Sequence, residues 1–327
     1  MKEQRESEKH ILILDAGDLL FKKFTGPVPE NELPGLTQKA QVIMESFNLM
    51  GYDAVGIGDD DLSLGKEFLL ESSKRATFPF LSSNIIDEGS GKLLFQPYLV
   101  KEIKGLRVGI FSLLSPDVFI GPTDPRQKGL ILRPPVEVAQ NMVKELQPKT
   151  DLIILLSHLG YPKDLELGQT VSGIHLIVGS HTGMNLTYPP VIKNTVILQT
   201  GTKGMYAARF DLTVYGGEFT FYNSATKKSL ENNLINVKTR LNTPGTSDPQ
   251  KVQLRRTQED IEKKLGEFRG KNEFNNVILA LTEQMKDHPE VLKMVEAYKS
   301  KFPEATPAPQ VESPPPAPKG RAPVPKK

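Results

Sequence analysis

Four apolar runs in this 327-residue chain are followed closely by residues able to hold a metal ion. Residues 11–14 lead to Asp18, and residues 54–57 lead to Asp59, Asp60 and Asp61. Residues 152–156 lead to His158, and residues 174–178 lead to His181. In open α/β sheets, ligands gather at the carboxyl ends of strands. Carboxylates and imidazoles converging there from separate strands make a cage suited to Mn, Zn, Fe or Mg. Taken singly, each residue has a plainer explanation. An Asp after a strand is usually a cap or turn residue, and Ser-His-Leu-Gly or Gly-Ser-His-Thr-Gly is usually an ordinary loop. The joint pattern points to metal chemistry. The chain has no cysteine, which excludes thiolate ligands, disulfides and a thiol nucleophile. It has five histidines, so imidazole-based sites are few.

The elements that must position these residues follow from apolar periodicity. Buried-strand patterns cover 11–14, 54–57, 78–82, 107–112, 152–156, 174–178 and 196–199. Leu36, Ala40, Ile43, Phe47 and Met50 share one face of a helix over 35–50, with Gly51 just beyond it. A second helix is predicted over 136–146, introduced by Pro134-Pro135. Strands alternating with helices indicate an α/β domain with substantially parallel strands. Segments 207–215 and 218–222, joined by Gly216-Gly217, read as a closing β-hairpin. His175 lies within a strand and is read as structural. His10 precedes the first strand, and His288 before Pro289 is placed at a helix end, where a cation suits the dipole. None of these three is assigned to the site. Gly201-Thr202-Lys203-Gly204 does not match a phosphate loop of the Gly-x4-Gly-Lys-Ser/Thr kind.

The net charge of +2 conceals two halves. Residues 1–224 hold 22 Lys and Arg against 26 Asp and Glu, whereas residues 225–327 hold 19 against 13. That asymmetry, with the change in texture, divides the chain into a domain over 1–224, an amphipathic helical extension over 225–302 and a Pro-rich disordered tail over 303–327. Within the extension, Leu254, Ile261, Leu265 and Phe268, then Phe274, Ile278, Leu281 and Met285, predict two or three helices broken near Gly270 and Pro289. Arg255-Arg256 and Lys263-Lys264 offer a basic face for an anionic or protein partner. The interleaved Glu259, Asp260, Glu262 and Glu267 point instead to solvated i,i+4 pairs. Specific nucleic-acid binding is not expected, since no aromatic-plus-basic module is present. No apolar run has the length of a membrane span, and residues 1–18 lack the pattern of a signal peptide.

Taken in order, the motifs resemble the metallophosphatase domain of the 5′-nucleotidase family within the calcineurin-like phosphoesterase superfamily. The segments that carry the resemblance are ILILDAGDLLF, DAVGIGDDDLSLG, FPFLSSNI, YLVKEIKGLRVGIFSLLSP, ELQPKTDLIILLSHLG, GIHLIVGSHTG and VILQTGTKGMYAARFDLTV. The resemblance covers about residues 10–224 and implies a four-layer α-β-β-α sandwich. It further implies that Asp18, Asp59, His158 and His181 hold a divalent metal, with Asp15 and Asp61 behind them and Asp60 in the catalytic position.

Three departures matter. Asp59 stands where the family has Asn, Asp60 where it has the catalytic His, and Gly183 where the Gly-His-x-His motif has its last His. An extra carboxylate at Asp60 would repel a phosphate. The Asp-x-His strand that supplies ligands to a second metal is not found before residue 10. Either it lies upstream of a mis-assigned start or the protein is shortened. One metal site is therefore expected and a second is doubtful. The resemblance implies hydrolysis of a phosphomonoester, nucleotides included, by a metal-bound hydroxide, in a periplasmic or otherwise extracytoplasmic setting, and the departures imply a weakened activity. The base-clamping C-terminal domain of the family has no counterpart in residues 225–327. The competing expectation is a non-catalytic, degenerate metallophosphatase that binds metal or a protein partner through its extension.

Overall fold

A computed structural model describes residues 10–24, 26–216 and 219–303. Its elements run β1 (Leu14–Asp15), α1 (Leu33–Met50), β2 (Ala54–Val55), α2 (Gly65–Ser73), β3 (Ile85–Asp87), β4 (Tyr98–Ile103) and β5 (Leu106–Leu114). They continue with β6 (Leu130–Leu132), α3 (Pro135–Leu146), β7 (Leu152–His158), α4 (Tyr161–Thr170), β8 (Leu176–Gly179), β9 (Val191–Ile192), β10 (Thr195–Gln199) and β11 (Tyr206–Thr213). After β12 (Phe221–Asn223) come α5 (Ser224–Leu241), α6 (Asp248–Gly266), β13 (Asn272–Ala280) and α7 (Pro289–Lys301).

The core is a six-stranded sheet in the order β4-β5-β7-β8-β10-β9, in which β5, β7, β8 and β10 run parallel. Strand β7 shows why these runs are apolar throughout. Ile153 and Leu155 face Val143 and Leu146 of α3 and Leu167 of α4, while Leu152, Ile154 and Leu156 face the other way. Side chains alternate across a strand, and a sheet covered on both faces needs both sets to be apolar. The inner set packs with Ala16, Ala54 and Leu81 of a second, shorter sheet system and with Phe221 and Phe274. There β1 pairs with β2 in parallel, and β2 is bridged in turn to Phe80. Helices α1 and α2 close the outer side of that system over Met44, Leu69, Phe78 and Phe80. The result is the four-layer α-β-β-α sandwich.

Helix α1 ends as its sequence predicts, with Gly51 in the left-handed conformation at φ 70° and its N–H bonded to Phe47 O and Asn48 O. This is the αL cap that glycine provides. The first strand is shorter than the apolar run 11–14. Asp53 replaces part of the ladder, its N–H donating to Ile13 O while its carboxylate accepts from the Ile13 N–H. His175 accepts from the Ile153 N–H through Nδ1 and packs edge-on to Phe219, in keeping with a structural role.

Three expectations are corrected. Strands β11 and β12 do not form a hairpin. Both pair with β13, β11 antiparallel (Tyr206↔Ala280) and β12 parallel (Phe221↔Asn272), so β13 separates them. The segment around Phe274 and Ile278 is thus a strand rather than a helix. Its alternate residues Asn272 and Phe274 are buried in the shared sheet, and tertiary pairing overrides a spacing that fits a helix equally well. The helical extension expected over 225–302 contains a strand belonging to the same sheet as residues 206–223. Finally, His288 caps the start of α7, with Pro289 at its first helical position, so a cation there would oppose the dipole. Gly217 of the expected turn and residues 304–327 of the tail lie outside the described residues.

Candidate metal centre

The centre forms where the loop after β1 meets the loop after β2. Gly17 (φ 99°) and Gly58 allow that approach. A Cβ on Gly17 would lie 2.3 Å from Gly58 N, and one on Gly58 would lie 2.2 Å from the Asp18 Oδ1. Asp61, fully buried, clamps the two loops. Its Oδ2 accepts the N–H groups of Asp18 and Gly58 and its Oδ1 those of Leu19 and Leu20, at 2.8–2.9 Å. Asp18 in turn accepts the Asp60 N–H at 2.8 Å. Asp18 is held at φ 63° and His181 at φ 71°. Such left-handed strain in non-glycine residues gathers at functional sites.

His158, the last residue of β7, is buried. Its Nδ1 lies 3.0 Å from the Ala16 carbonyl, which fixes the proton on Nδ1 and turns Nε2 toward the carboxylates. That Nε2 is 3.2 Å from Asp18 Oδ2 and 3.2 Å from Asp59 Oδ1. His181 approaches from beyond β8, its Nδ1 3.6 Å from the same Asp59 oxygen. Asp18, Asp59, His158 and His181 each offer one donor atom, and these atoms all lie within 4.8 Å of one another. Two carboxylate oxygens and two imidazole nitrogens in this space fit one divalent ion of the Mn, Zn or Fe kind. Asp59 and His158 form its buried floor, whereas Asp18 and His181 are each 28 % exposed and open it to solvent.

The electrostatics follow the packing. Burial opposes ionisation of Asp59, but hydrogen bonds with His158 and His181 and the charge of Arg126 outweigh it and hold its carboxyl well below the usual range. Burial likewise disfavours a charged His158, yet hydrogen bonds to Asp18 and Asp59 raise its pKa well above the ordinary value. Asp61 is pushed up to about 7 by burial and the Asp18 charge. Asp15 is pushed up to about 6, chiefly by burial. Asp15 accepts the Gly17 N–H and so supports the turn into Asp18.

The four expected ligands come together, and Asp15 and Asp61 stand behind them. Asp60 is beside the donor set: its Oδ1 accepts from Arg126 at 2.7 Å. Gly183 sits at φ 64°, and a Cβ there would lie 2.2 Å from Thr202 Cγ2, so the exposed Thr202 side chain would have to turn aside. The 201–204 turn thus packs on the His181 loop.

Two residues escaped the sequence reading. Arg126, in a short turn at Pro125–Gln127, is buried and bonds Asp59, Asp60 and Asp124 at once. The local Asp-Pro-Arg run was its one visible signal. Asp164 of α4 is buried and accepts from Ser157, the neighbour of His158, at 2.5 Å.

No family model matches the chain. Over 250 residues it is 28 % identical to the trifunctional nucleotide phosphoesterase protein YfkN of Bacillus subtilis, covering 65 % of this chain and 16 % of that protein. Over 239 residues it is 29 % identical to the 5′-nucleotidase of Vibrio cholerae, covering 64 % of this chain and 42 % of that protein. The chain therefore spans less than half the length of these curated relatives. In fold it matches the crystal structure of the calcineurin-like phosphoesterase YfkN from Bacillus subtilis with a TM-score of 0.60 at 16 % identity, over 92 % of this chain and 86 % of that one. In sequence the chain is thus similar to 5′-nucleotidases, and in fold it is similar to the calcineurin-like phosphoesterase YfkN.

Proposed function

We propose that the chain is a metal-dependent phosphoesterase that hydrolyses a phosphomonoester, a nucleotide monophosphate being the first substrate to try. The observation that carries this reading is the convergence of Asp18, Asp59, His158 and His181 on a space sized for one ion, open on one side. A divalent ion bound there supplies Lewis acidity and activates water for attack on phosphorus. The chain's own residues orient the donors. Ala16 fixes the His158 tautomer, Asp61 holds the Asp18 loop, and Asp18 and His181 face the open side, where a substrate would arrive. Asp60 borders the donor set and is the candidate catalytic group. The extracytoplasmic location implied by the resemblance belongs to the same reading, and no described helix is long and apolar enough to cross a membrane.

A second reading, a metal-binding module without turnover, is favoured by the ion pair that ties Asp60 to Arg126. One experiment separates the two. The purified chain is assayed for bound Mn, Zn and Fe and for hydrolysis of p-nitrophenyl phosphate and 5′-AMP. Hydrolysis that His158→Ala abolishes and Asp60→Asn slows supports the enzyme. Bound metal with no turnover supports the module, and absence of both metal and turnover overturns the first reading.

A further inference from the structure

Asp59 divides its two oxygens between different partners. Oδ1 faces His158 Nε2 at 3.2 Å and His181 Nδ1 at 3.6 Å, whereas Oδ2 accepts from the Arg126 guanidinium at 2.5 Å. Arg126 is 4 % exposed and its orientation leaves little freedom. Its Nε donates to Asp124 Oδ1 at 3.0 Å and its second terminal nitrogen to Asp124 Oδ2 at 2.7 Å. Asp124 also accepts the N–H groups of Ile120 and Arg126, so the turn carrying the arginine is built around the same carboxylate. The Phe119 ring lies 5.6 Å from the guanidinium carbon and covers it. Four of the five guanidinium N–H groups are thereby committed to Asp59, Asp60 and Asp124. A planar, always charged fork is the group best suited to hold carboxylates at fixed angles.

This geometry has two consequences at the metal centre. With Oδ2 engaged, Asp59 has one oxygen to offer a metal and cannot chelate through both. The guanidinium also offsets part of the negative charge that Asp59, Asp60 and Asp124 bring together. On the metal-binding reading proposed above, on which this inference rests, we propose that Arg126 is a positioning residue. It makes Asp59 a one-oxygen ligand, holding Oδ2 so that Oδ1 alone faces the histidines.

The test is a double-mutant cycle of Asp59→Asn and Arg126→Gln on the full chain stripped with a chelator, with Mn²⁺ and Zn²⁺ affinities read by titration calorimetry. Arg126→Gln alone releases Oδ2 of Asp59 and is expected to weaken binding by about 10–100-fold, the range for outer-shell defects. In the Asp59→Asn background, where the carboxamide has one oxygen to offer in any case, Arg126→Gln is expected to cost at least about tenfold less, a non-additivity that only coupled residues show. If the Gln double variant does not fold, Asp59→Asn with Arg126→Met supplies the same comparison. Wild-type affinity in Arg126→Gln, or an equal loss from that substitution in both backgrounds, overturns the role of Arg126. Wild-type protein that binds neither ion overturns the metal reading itself, so the two failures are distinct.

Discussion

Around Asp18, Asp59 and His158, buried polar side chains are matched to specific partners, whereas helices α5 and α7 bury no residue at all. The centre relies on Asp61 with its four backbone donors and on Arg126 with its three carboxylates. The chain beyond residue 224 relies on a few apolar anchors: Leu254, Ile261, Phe268 and above all Phe274. Its charges are paired at the surface, as between Lys238 and Glu262 at 3.0 Å. Surface pairs of this kind contribute little stability. Polar burial therefore concentrates where geometry must be fixed, and the later segment attaches mainly through one strand. That strand matters to the site as well, because the Asn276 amide donates to the Leu186 and Thr187 carbonyls in the chain that follows His181.

The largest test of this contrast is Phe274→Ala. Phe274 is 1 % exposed, packs with the inter-sheet core and stacks on Phe210 at 5.2 Å. Truncation is expected to cost about 3–5 kcal/mol by urea unfolding. A loss under 1 kcal/mol would show that β13 is not the anchor. At the centre, Asp61→Asn turns an amide NH₂ toward backbone N–H donors. Leaving buried donors unpaired costs about 1–3 kcal/mol. A variant with wild-type stability would mean that the Asp18 loop holds its shape without this clamp.

The smallest expected effect lies outside both regions. Burial pushes the His175 pKa down to about 4, so its neutral form is the folded form. The unfolded chain takes up the proton first. Stability from this group is complete above the unfolded pKa of about 6.5 and falls as pH drops toward the folded value. Lowering the pH from 7 to 5.5 is expected to cost about 1 kcal/mol through His175. Replacing it with Phe should remove that part of the acid sensitivity; an unchanged pH profile would count against it.

Much of the architecture was legible in the chain because both faces of the parallel sheet are covered. A run such as 152–156 declares itself because every position is apolar. Helix α1 was legible from its 3.6-residue period and its terminal glycine. The extension was harder. Phe274, Ile278 and Leu281 are spaced for a helix, and nothing local announces that Asn272 and Phe274 will alternate into a sheet whose other strands lie about 50 and 70 residues earlier. The hairpin expected from residues 207–222 failed for the same reason: the true partner of both strands comes later in the chain.

The identities of the four candidate ligands belong to the sequence, because a strand end followed by Asp or His is a local pattern, readable one run at a time. Their partners belong to the tertiary structure. Arg126 meets Asp60 and Asp59 across 66 and 67 residues, and Gly183 packs against the side chain of Thr202. Contacts of that kind arise from how loops pack after the sheets have formed, and they leave no periodicity in the chain. The sequence could name the donors; only the folded protein could decide that one oxygen of Asp59 faces the histidines while the other is held by a buried guanidinium.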